Sequence, residues 1–283
     1  MNQEHQHWGV EALWEELAPL LPDLSIEVLA RVPSTNAALI ERLRRDEQQK
    51  RDASSFGRRQ HDLQPCLLVA EQQTQGRGRL GRVWHSSAGA SLTFSLALPL
   101  ALADWSGLSL VVGCAIAQAL DPGTDAAPPR LALKWPNDLW LDGRKLGGIL
   151  IETVPAGNQR MAVVGIGLNI TPEAASPDVH FASGFASLNE LLPGIDAPTA
   201  LKRIAPALVA ALTGFASGGF EAWHAAYARR DLLSGKAITA GALHGQARGV
   251  NARGELLLQT SEGLQTLYGG EVSIRLSANQ GSA

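Results

Sequence analysis

The sequence predicts an α+β protein: a mixed central β-sheet flanked by helices, followed by a small C-terminal β-barrel. Three observations predict it. Strand-like apolar runs and helix-like segments are interleaved up to Ile170, two of the strands being joined by an Asp142-Gly143 turn. Residues 197–230 read as helices with Ala, Leu and Trp223 on their inner faces. After Asp231 the texture changes to short strands separated by glycines, the regular spacing of a small all-β unit. A chain of 283 residues can bury one good-sized core and still form a small second domain, so the expected division is 1–231 and 232–283.

Taken in order, residues 9–21 carry a short helical period and Ile26 to Val32 alternates like a strand. Pro33-Ser34-Thr35-Asn36 is a break and a helix cap leading into Ala37-Ala38-Leu39-Ile40. Glu41 to Gln64 is charged with mixed signs and poor in apolar residues, which predicts a solvated helix end and a mobile loop. Cys66 to Glu71 has the apolar run of a buried strand, and Ser91 to Leu98 alternates as another. Trp105 to Leu120 reads as an Ala-rich core helix. Leu131 to Trp135 is a short strand. Leu139 to Leu141 and Leu146 to Glu152 form a hairpin about the Asp-Gly turn. Met161 to Ile170 completes the apolar strands. In the last domain, strands are expected at 236–239, 241–250, 254–259 and 269–276.

Composition excludes several function classes. A formal net charge of -3 argues against a general nucleic-acid binder, which needs a basic excess to neutralise phosphates. Both cysteines, Cys66 and Cys114, lie in apolar stretches without metal-ligand spacing and read as buried reduced thiols. The polar, His/Gln-rich N-terminus and the lack of an apolar run approaching the ~20 residues of a membrane span point to a soluble cytoplasmic protein with no membrane partner.

The chemistry concentrates in a few segments. Gly76-Arg77-Gly78-Arg79-Leu80-Gly81-Arg82 sets three arginines on a glycine-flexible loop directly after a buried strand. Guanidinium forks match carboxylate and phosphate geometry, and glycines let bare backbone approach an anion. Taken alone, the loop fits an arginine-rich surface turn equally well. Its Gly-x-Gly-x-x-Gly spacing is not a dinucleotide fingerprint, because the chain continues into another strand rather than a helix. Lys134-Trp135-Pro136-Asn137-Asp138 could be a strand end with a turn, and Arg144-Lys145 two solvated hairpin charges. Gly147-Gly148 and Gly165-Ile166-Gly167 before Asn169 bring further small residues beside polar ones, and four such segments in one chain suggest one anion-handling site.

Together these residues carry a resemblance. Ser34-Thr35-Asn36, Gln73 ahead of the arginine loop and Trp84, Lys134 to Asp138, Arg144 to Glu152 and Gly165 to Asn169 resemble, in order and spacing from about residue 31 to 170, the signature set of biotin–protein ligases. The tail with Gly269-Gly270-Glu271-Val272-Ser273 is similar to that family's C-terminal β domain. The resemblance implies a class II synthetase-like catalytic domain with an SH3-like barrel, and a two-step reaction. Biotin and ATP give biotinyl-5′-AMP, and the biotinyl group then passes to a lysine of a carboxylase's biotin carrier domain, such as that of acetyl-CoA carboxylase, with Mg²⁺ assisting. It also implies residue roles. Arg77, Arg79 and Lys145 act catalytically on the carboxylate and the α-phosphate. Ser34, Thr35, Asn36, Gln73, Arg77, Gly78, Arg79, Lys145, Gly148 and Gly165 bind biotin. Arg79, Arg82, Trp84, Lys134, Asn137, Asp138, Asn169 and Phe185 bind ATP. Metal ligands are not assigned. Ser34 has a helix cap alone as its lesser reading, and Phe185 serves equally as an anchor for its own helix.

Three departures qualify the resemblance. About thirty residues precede Val32-Pro33-Ser34, fewer than the ~60 of a winged helix-turn-helix, so no DNA binding is expected. Leu80 stands where a further arginine is frequent. Residues 44–64 look like an insertion with no family function to carry over. A homodimer paired through sheet edges is compatible with the sequence without being demanded by it. The rivals are a lipoate ligase, an octanoyltransferase, which would want a cysteine nucleophile in the site, and a non-catalytic protein that kept the pocket.

Overall fold

The computed structural model describes residues 6–52, 64–102, 104–124, 128–156, 159–172, 184–269 and 274–276. Its centre is a seven-stranded sheet. In chain order the strands are β1 (Ser25–Val32), β2 (Cys66–Gln73), β5 (Ser91–Pro99), β6 (Leu131–Lys134), β7 (Asp138–Leu141), β8 (Arg144–Ala156) and β9 (Gln159–Asn169). Two short strands, β3 (Gly76–Arg77) and β4 (Val83–Trp84), pair only with each other. The spatial order is β1-β2-β5-β9-β8-β7-β6, with β1 and β2 parallel and every other neighbouring pair antiparallel, so the sheet is mixed as expected.

Strand alternation divides the core. Leu67 and Val69 join the large cluster formed with α1 (Val10–Leu17), α3 (Leu108–Leu120) and α4 (Ala197–Gly218). Leu68, between them, points the other way, to Leu39 and Ile40 of α2 (Thr35–Asp52) with Ala97, Met161 and Val163. Successive strand residues face opposite sides, so a run apolar at every position belongs to a sheet covered on both faces. α3 starts at Leu108 rather than Trp105, because Gly107 is left-handed (φ 77°) and cannot continue a helix. α4 is capped by Asp196, whose carboxylate accepts the Thr199 N–H at 2.8 Å. By length and composition α4 could cross a membrane, which corrects the expectation that no run approaches that length, but its apolar side packs into the core against α3.

A short helix α5 (His224–Ala228) leads to the sheet's β6 edge, where Leu133 N–H bonds to Arg230 O at 2.7 Å and Leu232 N–H to Leu133 O at 2.9 Å. The chain thereby covers this edge itself. Beyond it lies a five-stranded antiparallel sheet, β13-β12-β11-β10-β14, built from β10 (Ala237–Ala240), β11 (Leu243–Val250), β12 (Leu256–Thr260), β13 (Gly263–Leu267) and β14 (Ile274–Leu276). Its size and connectivity fit an SH3-like domain. β13 is an addition to the sequence reading: only Leu267 of its apolar residues is buried while Leu264 is 56% exposed, so no alternation marks it. Of the expected last strand, residues 270–273 lie outside the described residues, as do residues 53–63 of the charged stretch and its Arg58-Arg59 pair. Trp135 ties the small sheet to the large one through its indole N–H to Gly254 O at 3.0 Å.

Candidate active site

The cleft floor is set by register across β5, β9, β8 and β7. Ser95 pairs with Gly165 and Gly165 with Leu150; one step along, Thr93 pairs with Gly167, Gly167 with Gly148, and Gly148 with Asp138. Two glycines in the second row leave bare sheet. A Cβ on Gly167 would stand 2.5 Å from Cε2 of the Trp84 indole, so the β4 tryptophan lies directly on that backbone. Its ring N–H is buried with no hydrogen-bond partner among the described residues. A Cβ on Gly76 would meet Trp84 O at 2.3 Å, which is why glycine opens the β3–β4 hairpin.

At one end of this floor the N-terminus of α2 meets β2 and β5 in a buried polar cluster. Ser34, Thr35 and Asn36 are each 3% exposed and Ser95 is fully buried. The Thr35 backbone N–H donates to Gln73 Oε1 at 2.7 Å. Asn36 Nδ2 donates to Glu152 Oε2 at 2.9 Å and Leu150 O at 3.1 Å, while Ser95 Oγ lies 2.6 Å from both Thr35 Oγ1 and Asn36 Oδ1. Ser34 Oγ is 3.4 Å from Ala37 N, a loose cap, and its carbonyl accepts from Ala38 N–H at 2.9 Å.

At the other end cations gather. Lys145 Nζ bonds Asp138 Oδ1 at 2.8 Å. A β-bulge puts it there: Leu139 pairs with Gly147 but Trp140 with Lys145, so the buried Leu146 is an extra residue that re-aims Lys145 to the side of Gly148. A Cβ on Gly148 would lie 3.7 Å from Lys145 Nζ. Lys134 lies over the Trp140 ring at 4.8 Å. Burial pushes its pKa down, and repulsion from Lys145 and Arg82 adds to this while Asp138 opposes it. Burial likewise lowers Arg79, with Asp138 raising it and Arg82 lowering it. Asp138 is thus the shared counter-charge of several cations, an arrangement an arriving anion would stabilise.

The arginine loop is a tight hairpin rather than an open strap. Gly78 N–H bonds Arg82 O at 2.7 Å, and Leu80 (φ 57°) and Gly81 (φ 71°) are both left-handed at its tip. Arg79 reaches across the cleft to Asn137 Oδ1 at 3.2 Å and to Gly269 O of the small domain. Arg77 is exposed on the outer strand, and Arg82, also exposed, acts on the Lys134 and Arg79 charges. Asn137 is held by Nδ2 to Ile149 O at 2.7 Å. Asn169 Nδ2 bonds Ala186 O at 3.1 Å and Ala186 N–H bonds Lys145 O at 2.8 Å, which fixes half-buried Phe185 beside Lys145.

The structure therefore brings Ser34, Thr35, Asn36, Gln73 and Gly165 together at one end, Arg79, Lys134, Asn137, Asp138, Lys145 and Gly148 at the other, and Trp84 between them. Ser95 is an addition, and Glu152 and Gly167, which the motif segments contain without a role, join it. Ser95 and Glu152 look in sequence like ordinary polar positions of two strands, and only the fold brings them to Asn36. Among the described residues no three His, Cys, Asp or Glu side chains converge into a protein-built metal centre. Cys66 is only partly buried, contrary to the sequence reading, while Cys114 is fully buried.

Fold and site together set a buried polar cluster and a group of cations at opposite ends of one glycine-floored stretch of sheet. The model of the biotin/lipoate A/B protein ligase family matches residues 44–169, and that of the biotin protein ligase C terminal domain matches residues 234–275. The chain is 32% identical over 259 residues to the bifunctional ligase/repressor BirA of Escherichia coli, covering 89% of this chain and 74% of that protein. It is 32% identical over 218 residues to the biotin–[acetyl-CoA-carboxylase] ligase of Paracoccus denitrificans, covering 72% of this chain and 88% of that one. The solved structure of biotin protein ligase from Aquifex aeolicus in complex with biotin and ATP superposes with a TM-score of 0.68 at 27% identity, covering 89% of this chain and 99% of that one. The chain belongs to the biotin protein ligase family.

Proposed function

We propose that this protein activates biotin with ATP to biotinyl-5′-AMP and transfers the biotinyl group to a lysine of a carboxylase's biotin carrier domain. In the first step a biotin carboxylate oxygen attacks the α-phosphorus and pyrophosphate leaves. In the second the ε-amine of the carrier lysine attacks the acyl carbon, loses its proton and expels AMP. The observation that carries this reading is the gathering of Arg79, Lys134 and Lys145 about Asp138, one strand from a glycine floor that runs on to a buried polar pocket. Two anions must be forced together at such a place, and preorganised cations stabilise the charge that develops.

Lys145 and Arg79 hold the carboxylate and α-phosphate, Arg77 and the Gly78 backbone close over them, and bare Gly148 leaves room for the anhydride. Thr35 and Gln73, with Ser34 and Asn36 behind them and Gly165 beneath, take the ureido ring. Lys134, Arg82, Asn137, Asn169, Phe185 and Trp84 take the nucleotide. Mg²⁺ commonly binds through one or two carboxylates together with substrate phosphates, and Asp138 suits that use. When bound, it would offset phosphate charge. No residue here is required as a covalent nucleophile. Residues 1–231 form the catalytic unit in this reading and 232–283 the β domain, whose Gly269 carbonyl receives Arg79.

The test is incubation with ATP, Mg²⁺ and either biotin or lipoate, measuring pyrophosphate release and labelling of the carrier domain of acetyl-CoA carboxylase. Biotin-dependent release with carrier labelling is expected. Release with lipoate alone would move the assignment to a lipoate ligase, and release with neither would leave a binding protein.

A further inference from the structure

Behind the head-group pocket, four side chains form one continuous hydrogen-bonded chain whose direction can be worked out atom by atom. Glu152 supplies carboxylate oxygens, which accept. Asn36 Nδ2 spends its two hydrogens on Glu152 Oε2 and Leu150 O, at 2.9 and 3.1 Å. The flipped amide would set Oδ1 against these two acceptors, so the orientation is fixed by chemistry. Asn36 Oδ1 therefore faces Ser95 as an acceptor at 2.6 Å, and the single Ser95 hydroxyl hydrogen goes there. With that hydrogen spent, Ser95 Oγ can only accept from Thr35 Oγ1, also 2.6 Å away. Gln73 Oε1, 3.1 Å from Thr35 Oγ1, is meanwhile supplied by the Thr35 backbone N–H at 2.7 Å. The Thr35 hydroxyl hydrogen is thus drawn inward, and the oxygen keeps only lone pairs for a ligand.

We propose that Glu152, Asn36 and Ser95 are positioning residues that set Thr35 as a hydrogen-bond acceptor, so that the pocket selects a ring bearing an N–H. This rests on the reading of Thr35 as part of the biotin pocket. The relay is enclosed: Ser95 is fully buried, and a Cβ on Gly165 would come within 2.3 Å of Asn36 Oδ1, so no alternative Asn36 rotation has space beneath it. A ring presenting only lone pairs at this point leaves two acceptors facing each other, and a site built to hydrogen-bond a donor rejects such analogues strongly.

The experiment compares biotin with its two mono-N-methylated derivatives by calorimetry and by adenylation kinetics, in wild type, Ser95→Ala, Glu152→Leu, the double variant and Glu152→Gln, with thermal unfolding to verify folding. Wild type is expected to discriminate against one methylated isomer. Ser95→Ala and Glu152→Leu should each weaken biotin by about tenfold, in KM rather than kcat, and shrink that discrimination by a similar factor. The double variant should be no worse than either single one, because breaking the chain once releases Thr35. Glu152→Gln should restore wild-type selectivity, its amide oxygen accepting in place of the carboxylate. Unchanged discrimination in both single variants, or equal losses for biotin and both methylated forms, would overturn the relay while wild type still binds biotin. A wild type that binds no biotin would instead overturn the functional reading, and the relay with it.

Discussion

Gly165→Ala is a sharp test of the site because its effect separates cleanly into contact and backbone. Gly165 is not among the residues with positive φ, so alanine meets no conformational penalty there. The added Cβ, however, falls 2.3 Å from Asn36 Oδ1, 2.9 Å from its Cγ and 3.1 Å from its Nδ2. Reaching an ordinary contact near 3.4 Å requires Asn36 to retreat by about 1.1 Å (3.4 − 2.3), and the Ser95–Asn36 bond at 2.6 Å does not survive that. A buried polar group left without its partner costs about 1–3 kcal/mol, and overpacking a fitted interior costs about 1–3 kcal/mol more. Together that is about 2–6 kcal/mol, a melting decrease on the order of 10 °C for a chain of this size. Gly148→Ala is the control. Its Cβ would lie 3.4 Å from Asp138 Oδ1 and 3.7 Å from Lys145 Nζ, ordinary contacts with side-chain ends that can yield. It should fold with near wild-type stability yet lose adenylation, since the methyl fills the space beside Lys145. Circular-dichroism melts and pyrophosphate release measure the two effects. A Gly165→Ala protein melting within about 1 °C of wild type would refute the packing argument.

Lys145→Ala should keep its fold and lose adenylation by about 10²–10³-fold, as for removal of one preorganised stabilising group, and unchanged turnover would remove Lys145 from the chemistry. Arg79→Ala should let the adenylate escape, read as labelling of bystander protein lysines in a mixed incubation, whereas strict carrier labelling would contradict a shielding role for the loop. Lys134 is pushed below its ordinary 10.5 chiefly by burial, with Lys145 and Arg82 adding. Its ammonium is therefore lost before an ordinary lysine's as pH rises, so the ATP KM should climb in the alkaline limb between the lowered value and 10.5. Lys134→Arg should flatten that limb. The stability sign is opposite: folding disfavours the charged form, so this group's penalty fades as pH rises through the same window. The Cys114 thiol is pushed up to about 12, largely by burial. Alkylation of the native protein at pH 8 should mark Cys66 first and reach Cys114 only on unfolding, as peptide mass spectrometry would report.

Much of the fold was legible because period and punctuation are local properties. Ile26 to Val32, Cys66 to Glu71, the Asp142-Gly143 hairpin and the helices after Asp196 each carry their signal within about ten residues. What escaped depends on partners far away in sequence. The bulge at Leu146 is invisible locally, since the strand reads as starting at Leu146 with Lys145 a solvated charge on the hairpin, yet it decides where the Lys145 ammonium points. Ser95 and Glu152 reach Asn36 across separations of 59 and 116 residues, and only the sheet order makes them neighbours. Strand β13 escaped because its exposed Leu264 breaks the alternation, and the covering of the β6 edge by Arg230 and Leu232 involves backbone atoms that no side-chain pattern encodes.

The sheet geometry also limits what ligand can use both ends of the cleft. Ser95 sits on β5 and Asp138 on β7, three strand spacings apart through β9 and β8, and their rows differ by two residues along the strands. At about 4.8 Å per spacing and about 3.4 Å per residue, the backbone positions stand roughly 14 Å apart across the sheet and 7 Å along it, about 16 Å on the diagonal. Side chains reaching inward from both ends shorten this span, but a compact head group cannot touch both Thr35 and Lys145. A ligand whose polar ring and carboxylate are separated by an extended apolar chain can. That chain would run past the Trp84 indole, which already lies directly on the bare backbone of Gly167. A side chain at Gly167 would lift that indole into the stretch between the two ends, which is why glycine stands there, while the cations are kept to the far end.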